Sequence, residues 1–173
     1  MSWLGRMVAA MIVAAPIIVG LPSIGAADKL QDALRAYHAG DYATALRLSR
    51  PLAEQGGAVA QCVLGVMYDN GQGVARNYAI AAKWYRKAAE QGDVLAQHNL
   101  GLMYFNGDGV AQDHVRAHMW LNIAGMNGDE SGRRGKEVVA RKMAVAQISE
   151  ARKLALVWMA KLPRKTPSTN RHR

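Results

Sequence analysis

The 173 residues contain one cysteine, one phenylalanine and five prolines. A lone cysteine, Cys62, excludes a disulfide framework and a cysteine-based zinc knuckle. Acidic side chains are also few, 13 against 22 Lys and Arg, a formal charge of +9. Long apolar runs are missing apart from Met7–Val19, which is interrupted by Pro16 and is short for a bilayer core of about 30 Å. No glycine-rich loop ends in the Lys-Ser/Thr pair that a phosphate cradle needs. Half of the residues are nevertheless apolar, which excludes disorder throughout. The length suits one domain. Seventeen glycines and many alanines point to a core of small side chains and close helix contacts.

Residues 1–27 have the layout of a secretory signal peptide: Arg6, then the apolar run, then Pro22 and the small residues Gly25-Ala26-Ala27. Cleavage is expected after Ala27, which places the mature chain in the periplasm or outside the cell. The alternative is an uncleaved segment that anchors the chain in the inner membrane. In an oxidising compartment Cys62 has no partner in its own chain, which favours burial over redox work.

An internal repeat organises the remainder. Glu54–Ala89 laid over Glu90–Gly125 gives 17 identities in 36 positions without a gap. Each copy resolves into two helices, A and B. In helix A, Ala60, Leu64 and Tyr68 recur as Ala96, Leu100 and Tyr104, a spacing of four that keeps them on one helical face. Gly65 and Gly101 fall mid-helix, where glycine costs about 1 kcal/mol against alanine. A repeated glycine there predicts that another helix crosses closely. Asn70-Gly71-Gln72-Gly73-Val74 and Asn106-Gly107-Asp108-Gly109-Val110 are the connecting loops, with the valines plugging back onto the core. Asn77 and Asp113 are placed to cap helix B.

Helix B carries Ala81, Trp84, Tyr85, Ala88, Ala89 and Gly92, matched by Ala117, Trp120, Leu121, Ala124, Gly125 and Gly128. The same register upstream, from Ala45 to Gly56, defines a third helix B, which forms a shorter hairpin with a helix A at Lys29–Ala39, where Tyr37 matches Tyr68 at an offset of 31. The tryptophans read as spacers between stacked helices.

The pattern AxxxLGxMYxNGxGVxxxxxxAxxW followed by AAEQG resembles the Sel-one-like repeat (SLR) family, relatives of the tetratricopeptide repeat. The resemblance covers about residues 28–162. It implies an all-α fold, an α/α right-handed solenoid of stacked hairpins, and a role in protein–protein assembly without a fixed chemistry. The units fall at about 28–56, 57–92, 93–128 and a C-terminal cap at 129–162. In the cap the repeat decays, with Gly132, Lys136 and Ala140 at core positions, as a terminal unit with a polar outer face requires. Closing helices are expected over roughly 130–145 and 148–161, the second burying Ile148, Leu154, Val157, Trp158 and Leu162. Ala144-Val145-Ala146 lacks a good N-cap, so the two could run together. Residues 163–173 form a disordered basic tail.

Candidate chemistry is sparse. His114 and His118 at i, i+4 have no third metal ligand and read as outward or half-buried polar positions. Cys62 and His98 occupy equivalent repeat positions and could meet as a nucleophile and base, although no orienting group is evident. No catalytic residue, metal or cofactor is therefore expected. The stronger signal is a second stripe on helix A: Val59, Cys62, Val66 and Asp69, repeated as Leu95, His98, Leu102 and Phe105, with Gln31, Arg35 and His38 in the first unit. In tetratricopeptide-like stacks these offsets face the concave surface, where an extended or helical peptide docks.

The expectation is thus a monomeric, non-enzymatic scaffold of the cell envelope that holds a protein or peptide in this groove. A rival is a periplasmic enzyme or ligand-binder acting on peptidoglycan-like material. The charge has an address. Residues 28–127 hold nine basic and nine acidic side chains, whereas residues 128–173 hold twelve basic and four acidic ones. Outside the cytoplasm nucleic acid is an unsuitable partner. Anionic membrane or wall polymer could touch the basic C-terminal end.

Overall fold

The computed structural model describes residues 24–161. Most of the signal segment, together with Leu162 and the tail 163–173, lies outside the described residues. Eight helices follow in order: α1 (Ile24–His38), α2 (Tyr42–Glu54), α3 (Ala58–Asn70), α4 (Tyr78–Glu90), α5 (Val94–Asn106), α6 (His114–Met126), α7 (Glu130–Ala140) and α8 (Val145–Lys161). No strand occurs among the described residues. Each helix from α1 to α6 packs on the next, and α3 touches α5 as α5 touches α7. This is an all-α solenoid in which α1, α3, α5 and α7 take the A positions and α2, α4 and α6 the B positions.

The local chemistry explains the breaks. Asp41, Asn77, Asp93, Asp113 and Asp129 cap the helices that follow them, each accepting from a backbone N–H two or three residues on. Helices α3 and α5 end on Gly71 and Gly107 with φ of 72° and 84°, the left-handed conformation that favours glycine. Val74 and Val110 then pack back onto the core. Helix α1 starts at Ile24, four residues ahead of the expected domain start, and Ala26 packs against the first core cluster.

Glycine at 65 and 101 admits the crossing helix. A Cβ on Gly101 would stand 2.7 Å from Leu121 Cγ on α6. Small residues also fill the B helices, where Ala81, Ala88, Ala89, Ala117 and Ala124 are fully buried. Tyr85, Leu100, Leu121 and Ile123 supply the large core groups.

The repeat is also written in buried polar contacts. Gln61 Nε2 donates to the Ala53 carbonyl at 3.0 Å, and its Oε1 accepts from Gln91 at 2.7 Å. One repeat later Gln97 Nε2 donates to Ala89 O at 3.2 Å and Oε1 accepts from Asn127 at 3.1 Å. Each glutamine ties helix A to the end of the preceding helix B and to the end of its own. Arg50 and Arg86 likewise donate to the Tyr68 and Tyr104 hydroxyls of the following A helix.

Three features define the cap, and the third departs from expectation. First, the two closing helices are separate, because Gln147 Oε1 accepts from the Ala144 N–H at 2.9 Å and caps α8 by reaching back. Second, α8 lies mainly against α6, with Trp158 edge-on to Trp120 at 5.0 Å between ring centroids. Third, α8 buries Ala151 and Ala155 while Leu154 and Val157 stay exposed, since only small residues allow α8 that close to α6.

Candidate interaction surface

The second stripe of the A helices divides into core and surface. Cys62 is 4% exposed and belongs to the core, so it does not line an open groove. Val59 (42% exposed), Leu95 (56%) and Leu102 (38%) stand in solvent despite being apolar. Val66, Asp69, His98 and Phe105 are half-buried, and Gln31, Arg35 and His38 are exposed. Arg35 pairs with Asp32 at 2.9 Å. Asp69 Oδ2 accepts from the Tyr85 hydroxyl at 3.2 Å, and burial raises its carboxyl above the ordinary value. Of the eleven residues singled out from sequence, ten are at least partly accessible on the A-helix layer.

Cys62 and His98 are not brought together. The carboxylate beside Cys62 is Asp93, while His98 Nδ1 lies 2.6 Å from Asp129 Oδ2. Each pair joins an A helix to the N-cap of the next one, 31 residues on. Burial first, and the Asp93 carboxylate second, push the Cys62 thiol up, the reverse of what a nucleophile needs. His98 and Asp129 line an open pocket of about 510 Å³ with Val94, Leu95, Asn127, Gly128 and Ser131. Asp129 also accepts from the Ser131 and Gly132 N–H groups, so it holds the start of α7 and the His98 ring at once.

His118 corrects another expectation. It is 2% exposed, sealed between α6, α7 and α8, and its Nδ1 has no hydrogen-bond partner. Burial, then Arg152 and Lys136, lower its pKa below the ordinary imidazole value. His114 stacks beside Phe105, with ring centroids 5.6 Å apart. No group of three His, Cys, Asp or Glu among the described residues is placed to hold a metal ion.

The sequence reading stopped this surface at Phe105, but α7 continues it. Gly132 and Val139 are buried at the positions of Ala96 and Met103, so α7 keeps the rotational phase of α5. Lys136, at a core position, turns its ammonium to Asn122 Oδ1 at 3.2 Å instead of ending the packing. The same offset of 36 then places Ser131, Arg134, Val138 and Arg141 beside Leu95, His98, Leu102 and Phe105, and all four are exposed. Extending the offset past the decayed core positions would have found them.

Comparison with known proteins agrees with this arrangement. The Sel1 repeat profile matches residues 58–93 and 94–129. The chain carries two Sel1 repeats. Each match runs from an A helix to the N-cap of the next, which is the period of the Gln61 and Gln97 contacts. A protective antigen of uropathogenic Escherichia coli with an SLR fold is similar over 86% of this chain, at 27% identity and a TM-score of 0.74. A Sel1 repeat protein from Oxalobacter formigenes is similar over 61%, at 36% identity and a TM-score of 0.58. The chain spans 35% and 42% of the lengths of those two proteins. No curated protein matches the sequence. At the family level, Sel1 repeats are scaffolds for protein–protein interaction.

Proposed function

We propose that this Sel1-repeat chain is an exported, non-enzymatic scaffold of the cell envelope, and that its A-helix layer receives a peptide or protein partner. One observation carries the reading: Val59, Leu95 and Leu102 stand exposed on a single face, at positions fixed by the repeat. Apolar side chains in solvent gain free energy when covered, about 25 cal/mol per Å². The remaining exposed positions of α3 and α5 are Asn70 and Asn106, at the helix ends. Export rests on the arrangement of residues 1–27, and the non-enzymatic reading on the buried Cys62 thiol, pushed up beside Asp93, and on His98, whose partner is Asp129.

The test is affinity capture from envelope extract, with wild type and the double variant Leu95→Arg, Leu102→Arg run side by side. Both side chains are exposed, so the fold should persist and circular dichroism checks it. Loss of a specific captured protein supports the reading. Unchanged capture by a folded variant sinks it. Fractionation with mass determination of the mature chain tests export, with Asp28 as the expected first residue.

A further inference from the structure

We propose that the segment received on the A-helix layer is an acidic peptide with apolar anchors, selected by the cationic end of the layer on α7. The inference rests on the groove reading above and names the chemistry of its partner.

Three features of the surface point to it. The row Val66, Leu102 and Val138 (50% exposed) runs across α3, α5 and α7 at one repeat position. Packed helix axes lie about 8–10 Å apart, so the row spans roughly 16–20 Å. That is the length of about six extended residues at 3.3 Å each. Beside the last apolar position stand Arg134 and Arg141, one turn either side of Val138. Lys142 follows and places its ammonium 5.0 Å from the centroid of the Phe105 ring. Among the described residues, Arg141 and Lys142 have no carboxylate within 4.0 Å. The nearest acid to Arg134 is Glu130 at 3.7 Å, an exposed i,i+4 pair that an incoming carboxylate can replace.

Arg141 and Lys142 without an ion pair, and Arg134 with only an exposed one, stand at the end of a narrow apolar row and complement a strand that carries both leucine-like and carboxylate side chains. An anionic bilayer would match the charge but would not need an apolar row one residue wide crossing three helices. The peptide is therefore the reading the geometry favours.

The experiment uses three labelled nine-residue peptides that alternate Leu with Glu, Gln or Lys, titrated with the full chain and read by fluorescence anisotropy. The Leu–Glu peptide should bind about tenfold more tightly than the Leu–Gln peptide, since two or three partly exposed pairs add several tenths of a kcal/mol each. In the double variant Arg134→Glu, Arg141→Glu the Lys peptide should become the preferred one. Equal affinity for the Glu and Gln peptides overturns charge selection while leaving the groove reading in place. Binding of none of the three overturns the inference, and the Leu95, Leu102 capture experiment then decides the groove reading separately. Vesicles of phosphatidylglycerol and phosphatidylcholine form the last arm: binding to them by a chain that ignores all three peptides overturns the inference in favour of a lipid surface.

Discussion

The ring of Tyr85 on α4 occupies the space beside Gly65 on α3 that a methyl group would need: a Cβ there would stand 2.5 Å from Cδ1 and 2.6 Å from Cε1. The ring cannot swing away, because it is buried and its hydroxyl donates to Asp69. Gly65→Ala should therefore destabilise the fold although alanine is the better helix former. Overpacking costs about 1–3 kcal/mol and the propensity gain returns about 1 kcal/mol. A net loss of about 1 kcal/mol would lower the melting temperature by roughly 2–4 °C. A thermal melt followed at 222 nm checks it, and a rise in midpoint would show that the Tyr85 ring yields to the added methyl group.

Gln97 is fully buried and holds Ala89 O and Asn127 together. Gln97→Leu keeps much of the volume but removes two hydrogen bonds: Ala89 O retains only the Gly92 N–H at 3.0 Å, and the Asn127 amide loses its acceptor. The expected loss is about 1–3 kcal/mol. Urea unfolding should show a lower midpoint with an unchanged slope. Gln61→Leu should behave alike, because Gln61 makes the same contacts one repeat earlier. A neutral result at both positions would mean that the clasps add nothing to stability.

His118 gives the fold a dependence on pH. Its pKa is lowered in the folded chain, so below the ordinary imidazole value of 6.5 the unfolded chain takes up a proton that the fold refuses. This contribution is fully present above pH 6.5 and is lost as the pH falls through the folded pKa. Its slope cannot exceed about 1.4 kcal/mol per pH unit. Arg152 and Lys136 reinforce the effect and Glu137 opposes it. His118→Gln should flatten the stability profile between pH 7.5 and pH 5 relative to wild type, measured by urea titration at each pH. Parallel profiles would remove His118 from this role.

Asp129 serves the start of α7 and the ring of His98 together. Asp129→Ala should cost about 1–2 kcal/mol through the lost cap. Hydrogen exchange should localise the damage to the first turn of α7. Asp129→Asn retains a capping oxygen and should recover most of that loss. Uniform destabilisation without faster exchange at Ser131 and Gly132 would argue against a local cap.

Much of the architecture is legible in the sequence. The 36-residue offset names the helices, the glycine-bearing loops, the Asn77 and Asp113 caps, and the close crossings at Gly65 and Gly101. Sequence periodicity reports these well because each depends on neighbours one or two turns away, or on a contact repeated in every unit. Of the candidate surface, Val59, Leu95 and Leu102 were found for the same reason, since repeated apolar positions outside the core stripe have to face somewhere.

The sequence by itself therefore determined the repeat, its period and the helix layer that carries the exposed stripe. Tertiary structure alone decided which members of that stripe are open and where the layer ends. Cys62 is at a surface-like position in the repeat, yet the neighbouring helices close over it and place it beside Asp93. His118 looks polar in sequence, yet α8 folds back across α6 and seals it. Helix α7 looks like a decayed terminus, yet it keeps the phase of α5, because Gly132 and Val139 pack while Lys136 extends its ammonium to Asn122. In each case burial was set by helices distant in sequence, and their approach depends on side-chain volumes at contacts that no single-helix periodicity contains.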